Sequence, residues 1–193
     1  MSVIDRPIDL TSGRVALSLA EYLALPGDTR AEIVDGVLRP MTRESHRNRT
    51  VQFMAMMALR SQVPNGAFVL TEEIVVLIQE PALSRIPDVV VRRAEGDSAT
   101  GNNTPARDVL LALEIVSPGT RSADLREKPV EYALAGIEAF WLVQFDPDIT
   151  VTVHRLVGDR YEVVGVFGRG ETVRDAALPW VAVEVTPLLD RYV

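Results

Sequence analysis

Two apolar runs, each interrupted by a single carboxylate, constrain this chain more than anything else in it. The first reads Arg85-Ile86-Pro87-Asp88-Val89-Val90-Val91. The second reads Leu110-Leu111-Ala112-Leu113-Glu114-Ile115-Val116-Ser117-Pro118, with a polar loop between the two and Asp124 and Lys128 soon after. Such runs predict strands over 86–92 and 108–116, because a strand covered on both faces is apolar throughout rather than alternating. A carboxylate inside a buried strand is expensive unless something compensates its charge. Two on neighbouring strands call for a shared positive charge, which a divalent cation supplies through oxygen ligands.

Each residue also has a plainer reading. Asp88, after Pro87, could simply start or bend an edge strand, and Glu114 could face solvent on a half-exposed one. The near-continuous apolar run 109–116 argues against the latter. Lys128 could serve only to pair with Asp124, four residues earlier on one helical face.

The rest of the chain reads as alternating helices and strands. Ser18 with Glu21 forms a capping-box pattern that opens a short helix ended by Pro26-Gly27. Asp35-Gly36 between short apolar runs predicts a two-residue hairpin, with Glu32 on its first strand. Residues 44–62 read as a helix whose apolar face carries Val51, Met54, Met57 and Ala58, with its three methionines as ordinary core. Strands are expected over 67–79, Ile137 to Phe145, Ile149 to Leu156 and Tyr161 to Phe167, and a surface loop over Ala94 to Arg107. A helix over 121–136 ends at Gly136, and Pro129 makes it start late or bend. Short apolar runs lie around Val173 and Val181 to Val185, and a helical turn near Leu188-Leu189. The pattern is α/β: a mixed sheet flanked by helices, with extra N-terminal and C-terminal hairpins.

With 193 residues, the expected organisation is an N-terminal arm over 1–16 and one domain over 17–193. Apolar residues make up 47% and charged residues 24%, the composition of a soluble globular protein. The absence of cysteine removes disulfides and thiolate zinc sites and suits a reducing cytoplasm. No signal-peptide pattern opens the sequence, and no apolar run approaches the roughly 20 residues of a membrane-spanning helix. The net charge of −7, from 27 acidic and 20 basic residues, weighs against broad, non-specific nucleic-acid affinity. A bound metal or a local basic patch can still reverse the field where it matters.

Pro87-Asp88, Glu114 and Lys128 together carry a resemblance. The chain resembles the PD-(D/E)xK restriction-endonuclease-like superfamily and, more closely, the Uma-two family of putative restriction endonucleases. The matching pieces run in order: Glu32-Ile33-Val34-Asp35-Gly36, His46, Arg85-Ile86-Pro87-Asp88-Val89, then Glu114-Ile115-Val116-Ser117-Pro118-Gly119-Thr120. Asp124, Lys128, Tyr132 and Gly136-Ile137-Glu138-Ala139-Phe140-Trp141-Leu142-Val143 complete the set, which covers about residues 20–190. Val116 stands where the superfamily pattern has its lysine, and the lysine is displaced to Lys128 on the following helix.

The resemblance implies a restriction-endonuclease-like core and a cytoplasmic, metal-dependent phosphodiester hydrolase acting on DNA. Asp88 and Glu114 would hold Mg²⁺ or Mn²⁺ with the carbonyl of Ile115 as a third ligand, and Glu32 would join them directly or through water. Lys128 would assist the attacking water. His46 would stand at the rim of the site, although a solvated or capping histidine is its plainer reading, as fixing the hairpin is for Glu32. His154, Tyr132 and Trp141 read as structural. Self-association, as a homodimer or larger, is expected from the strand edges of the C-terminal hairpins. The alternative function is a catalytically inactive homo-oligomeric or DNA-binding protein that keeps the fold.

Overall fold

The computed structural model describes residues 16–26, 29–41, 44–94, 103–145 and 147–189. The arm predicted over 1–16 lies outside them except for Ala16, as do Gly27, Asp146 and residues 95–102 of the predicted loop.

Local chemistry sets the N-terminal elements. Helix α1 (Leu19–Leu23) carries the expected capping box: Ser18 accepts from the Glu21 amide, and Glu21 accepts from the Ser18 amide. Strands β1 (Ala31–Val34) and β2 (Val37–Pro40) form the predicted hairpin. Asp35 and Gly36 both take positive φ, at 51° and 76°, as a two-residue turn matched to strand twist requires. Helix α2 (His46–Arg60) is capped by Ser45, whose side chain accepts from the Asn48 amide. Its buried stripe is Asn48, Val51, Ala55 and Leu59, so the predicted apolar face is rotated: Met57 is 48% exposed. A helix with apolar side chains on several faces does not define a unique stripe by sequence.

The strand predicted over 67–79 is two strands in two sheets: β3 (Ala67–Leu70) and β4 (Ile74–Ile78). The break falls at Thr71–Glu73, where Glu72 takes a φ of 57°. The run around Asp88 is divided as well. Arg85 ends β5 (Leu83–Arg85), and Val89 begins β6 (Val89–Arg93). Pro87 has no amide to give a ladder, so the chain leaves one sheet and enters the other across Ile86-Pro87-Asp88. Next come β7 (Asn103–Pro105), a single 3₁₀ turn and β8 (Val109–Ile115), which is buried along nearly its whole length as its composition predicts.

The predicted 121–136 helix accommodates Pro129 through a π-helical turn over Ala123–Glu127, directly before α3 (Lys128–Leu134). The wider turn falls where the proline cannot donate back along the helix. Gly136 takes a φ of 79°; its amide donates to Ala133, and that of Ile137 to Tyr132, a Schellman ending. Strands β9 (Ala139–Gln144), β10 (Thr150–Val157), β11 (Arg160–Gly168), β12 (Thr172–Asp175) and β13 (Leu178–Glu184) follow, then a 3₁₀ turn at Thr186–Leu188.

The architecture is mixed α/β, as expected. One sheet runs β2-β1-β5-β4-β7 and a second β11-β10-β9-β8-β6-β3, with β12-β13 as a separate hairpin. The pair β8–β9 is parallel, and its neighbours are antiparallel. One face of the six-stranded sheet packs Leu111, Leu113 and Ile115 against Val51, Ala55 and Leu59 of α2 and against the β12–β13 hairpin. The other face packs Ala112, Val116 and Phe140 against Tyr132 of α3. Trp141 is buried and donates to Asp175 at 2.8 Å, while the rings of His154, Phe140 and Tyr161 pack against one another. Strand β11 is an edge with exposed Val163, Val164 and Val166. Among the described residues no helix is long and apolar enough to cross a membrane.

Candidate active site

Strand register brings the two acids together. Val89 pairs with Leu113 across the antiparallel β6–β8 ladder, which carries Asp88 to the end of β8 where Glu114 and Ile115 lie. Asp88 Oδ2 accepts from the Ile115 amide at 2.6 Å, and the Asp88 carbonyl accepts from Gln52 Nε2 of α2 at 2.9 Å. Glu114 points to the α3 face. Its Oε2 accepts from Lys128 Nζ at 2.8 Å and its Oε1 from the Tyr132 hydroxyl at 2.6 Å. Lys128 and Tyr132 are one helical turn apart, and Asp124 precedes Lys128 by the same step. These three residues form one stripe of the helix, aimed at the second acid.

A cleft of about 310 Å³ opens over this group, and Glu32, Asn48, Asp88, Glu114, Ile115 and Lys128 are among its walls. Glu32, Asp88, Glu114, Ile115 and Lys128 thus share one cavity although the sequence scatters them. His46 does not line it. That residue is exposed at the first position of α2, with Nδ1 3.0 Å from Arg49 Nη2. The α2 side chain in the wall is Asn48, whose Nδ2 lies 3.4 Å from the Ile115 carbonyl.

Glu32 enters from the other sheet with both oxygens engaged. Oε2 accepts from Arg85 Nη1 at 2.8 Å, and Oε1 accepts from the Ile86 amide at 3.1 Å. Lys128 Nζ is 3.9 Å from Oε1. Arg85, 3% exposed, also spans Glu131 of α3 with Nε and Nη2, at 2.6 and 2.7 Å, and reaches Glu127 at 3.3 Å. Glu127 and Glu131 form a second stripe on the same helix. The sequence places Arg85 beside the Pro-Asp step but gives its partners no mark, because they lie more than 40 residues away.

The electrostatics follow from this crowding. Burial pushes the Asp88 carboxyl up to about 7, against the pull of the Lys128 charge and the Ile115 amide. Burial raises Glu114 well above the carboxylate range; Lys128 opposes this, while Asp88 and Asp124 add to it. Burial alone would lower the Lys128 ammonium, but Glu114, Glu32 and Asp124 outweigh it and hold the pKa above its ordinary value. Both directions stand together because Asp88, Glu114 and Asp124 outnumber the one ammonium among them. The surrounding acids favour the charged form of Lys128, while burial favours the neutral forms of Asp88 and Glu114.

That excess of acids is what a hard divalent cation relieves, and the donor set suits one: two carboxylates and a backbone carbonyl. Asp124 Oδ1 adds a buried oxygen that lies 3.0 Å from Lys128 Nζ without a hydrogen-bond partner among the described residues. In donor chemistry and charge, these residues fit the group. Among the described residues no three acidic or histidine side chains already stand in a metal-holding arrangement.

A search of curated proteins finds no match. Among solved structures the chain is similar to a putative nuclease of the DUF820 group from Anabaena variabilis. The TM-score is 0.68 at 19% identity, over 90% of this chain and 98% of that one, a likeness of fold. The sequence matches the model of the Uma2 family, described as "Putative restriction endonuclease", over residues 19–186. That span takes in the hairpin, the Pro-Asp step, Glu114 and the Lys128 helix, and the chain belongs to the Uma2 family.

Proposed function

We propose that this protein is a metal-dependent DNA endonuclease whose reaction takes place in the cleft over Asp88 and Glu114. One observation carries the reading: two buried acids with raised pKa values and one charged lysine share a cleft at the end of two paired strands. Asp88, Glu114 and the Ile115 carbonyl would hold Mg²⁺ or Mn²⁺. The bound ion would acidify water and offset charge on the phosphate.

The chain's own residues then have distinct tasks. The Ile115 amide fixes Asp88 by its Oδ2, and Tyr132 fixes Glu114 by its Oε1, so each acid has one oxygen oriented from behind. The acids around Lys128 favour its charged form, which suits a task toward the attacking water other than accepting its proton. Its ammonium orients that water or stabilises the negative phosphate by charge. Its displacement from the position of Val116 to α3 is compatible with that task, since Nζ still reaches Glu114. Asn48 steadies the Ile115 carbonyl from α2. Arg39, at the wall of the cleft, offers a positive charge to a DNA strand.

Incubation with supercoiled plasmid and Mg²⁺ or Mn²⁺ tests the proposal. Cleavage is expected in the wild type, stopped by a chelator and lost in Asp88→Ala and Glu114→Ala. Cleavage unchanged in both variants would sink it. The second reading, an inactive DNA-binding or homo-oligomeric protein, is favoured by the occupation of both Glu114 oxygens. It expects no Mn²⁺ uptake in a calorimetric titration.

A further inference from the structure

Glu32 reaches the cleft wall but spends its oxygens elsewhere. One is held by a buried guanidinium and the other by a backbone amide, so both are already oriented by protein donors, and drawing Glu32 toward a cation would strain a charge-assisted bond of 2.8 Å to Arg85. Arg85 meanwhile grips both oxygens of Glu131 on α3. The pair therefore joins three parts: β1 and β5 of the five-stranded sheet, the Ile86–Asp88 crossing, and the helix that carries Lys128 and Tyr132. The Ile86 amide is the last donor before Asp88, because Pro87 has none. Holding it fixes the chain one step from the acid.

We propose that Glu32 is a positioning residue rather than a metal ligand: with Arg85 it latches the Ile86–Asp88 crossing to the Lys128 helix and so sets where Asp88 stands against Glu114. The inference rests on the nuclease reading above, whose site it positions.

The test uses the full chain, supercoiled plasmid and Mn²⁺, with Glu32→Gln, Arg85→Gln and the double variant. Each single change is expected to slow cleavage roughly 10- to 100-fold, the scale of a misplaced reacting group. The double variant is no slower than the worse single, because the two act as one unit. Calorimetric Mn²⁺ affinity of Glu32→Gln is expected to fall clearly less than that of Asp88→Asn, because a ligand is displaced and none is removed. Effects that multiply, or a Glu32→Gln variant that loses Mn²⁺ affinity as Asp88→Asn does, overturn the proposal.

Hydrogen exchange reads the latch without metal or DNA. Glu32→Ala is expected to deprotect segments 83–93 and 124–134 together, and Glu32→Gln serves the same measurement if the alanine variant does not fold. Unchanged exchange in either segment overturns the proposal. A wild type that neither takes up Mn²⁺ nor cuts DNA defeats the nuclease reading, while the exchange result still decides whether the latch exists.

Discussion

Glu32 and Glu114 invite comparison because they look alike in sequence and differ in what holds them. Each sits on a buried strand, each has both oxygens occupied, and each faces α3 or its preceding turn through a cation. Glu114 is held by a lysine and a tyrosine: one point charge on a flexible stem, and one neutral hydroxyl. Glu32 is held by an arginine fork shared with Glu131 and by a backbone amide. A fork bound bidentately at its other end has little freedom to leave. An ammonium on four methylenes can move a short way when a second cation arrives. The difference teaches that a buried acid is a candidate ligand when its counterion is movable, and scaffold when its counterion is fixed from both sides.

Four outcomes can break or sharpen that contrast. The largest lies in cleavage. Glu114→Gln keeps the shape and one acceptor but removes the charge, and it is expected to lower the cleavage rate on the order of 10³-fold. A loss as large in Glu32→Gln would erase the distinction between the two acids.

Stability should show the reverse order. Arg85→Met leaves buried Glu32 with only Lys128, 3.9 Å away, and takes the guanidinium from half-buried Glu131, and a loss of roughly 3–5 kcal/mol is expected in urea denaturation. Lys128→Met removes a cation from an overcrowded acid group that can take up protons instead, so a smaller loss is expected. Equal losses would mean that the lysine is as much scaffold as the arginine.

Tyr132→Phe is expected to cost about 1–2 kcal/mol, because it strips one buried hydrogen bond from Glu114 without touching a charge. The same denaturation series measures it, and a neutral result would show that Tyr132 holds Glu114 only by packing.

The smallest effect lies away from both acids. Burial lowers the pKa of His154 below its ordinary 6.5. The folded protein therefore binds fewer protons than the unfolded chain between the depressed and the ordinary value. The contribution of His154 to stability is full above about pH 6.5 and declines as pH falls through that window. His154→Phe should flatten this part of the curve, measured as Tm against pH. A wild-type slope of opposite sign would show that the acids of the site, not this histidine, govern the window.

Much of the fold was legible because composition and burial agree. Strand β8 reads as buried and is; the Asp35-Gly36 turn and the ending at Gly136 follow from local backbone preference, and the capping box from the paired side chains of Ser18 and Glu21. The division of 67–79 was not legible. Thr71-Glu72-Glu73 contains neither glycine nor proline, and both flanking pieces have the composition of strands. Arg85 as the last residue of one strand, with Asp88 between two sheets, was likewise hidden inside a single apolar run.

The site shows the same division. Asp88 and Glu114 were visible because charge inside apolar sequence is anomalous, Lys128 was visible through the family resemblance, and the structure brings the three to one cleft. The residues that hold them were not visible. Tyr132 reads as core and is fully buried, yet its hydroxyl carries a bond no hydrophobic pattern can show. Asn48, two positions after His46, reaches the cleft because the buried stripe of α2 passes through it and not through the histidine.

A crystal structure of the protein soaked in Mn²⁺ tests the central claim most directly. The account predicts an anomalous peak bound by Asp88, Glu114 and the Ile115 carbonyl, with Glu32 still on Arg85 and the Ile86 amide. No peak between Asp88 and Glu114, or a peak held by Glu32 with Arg85 turned away, would contradict it.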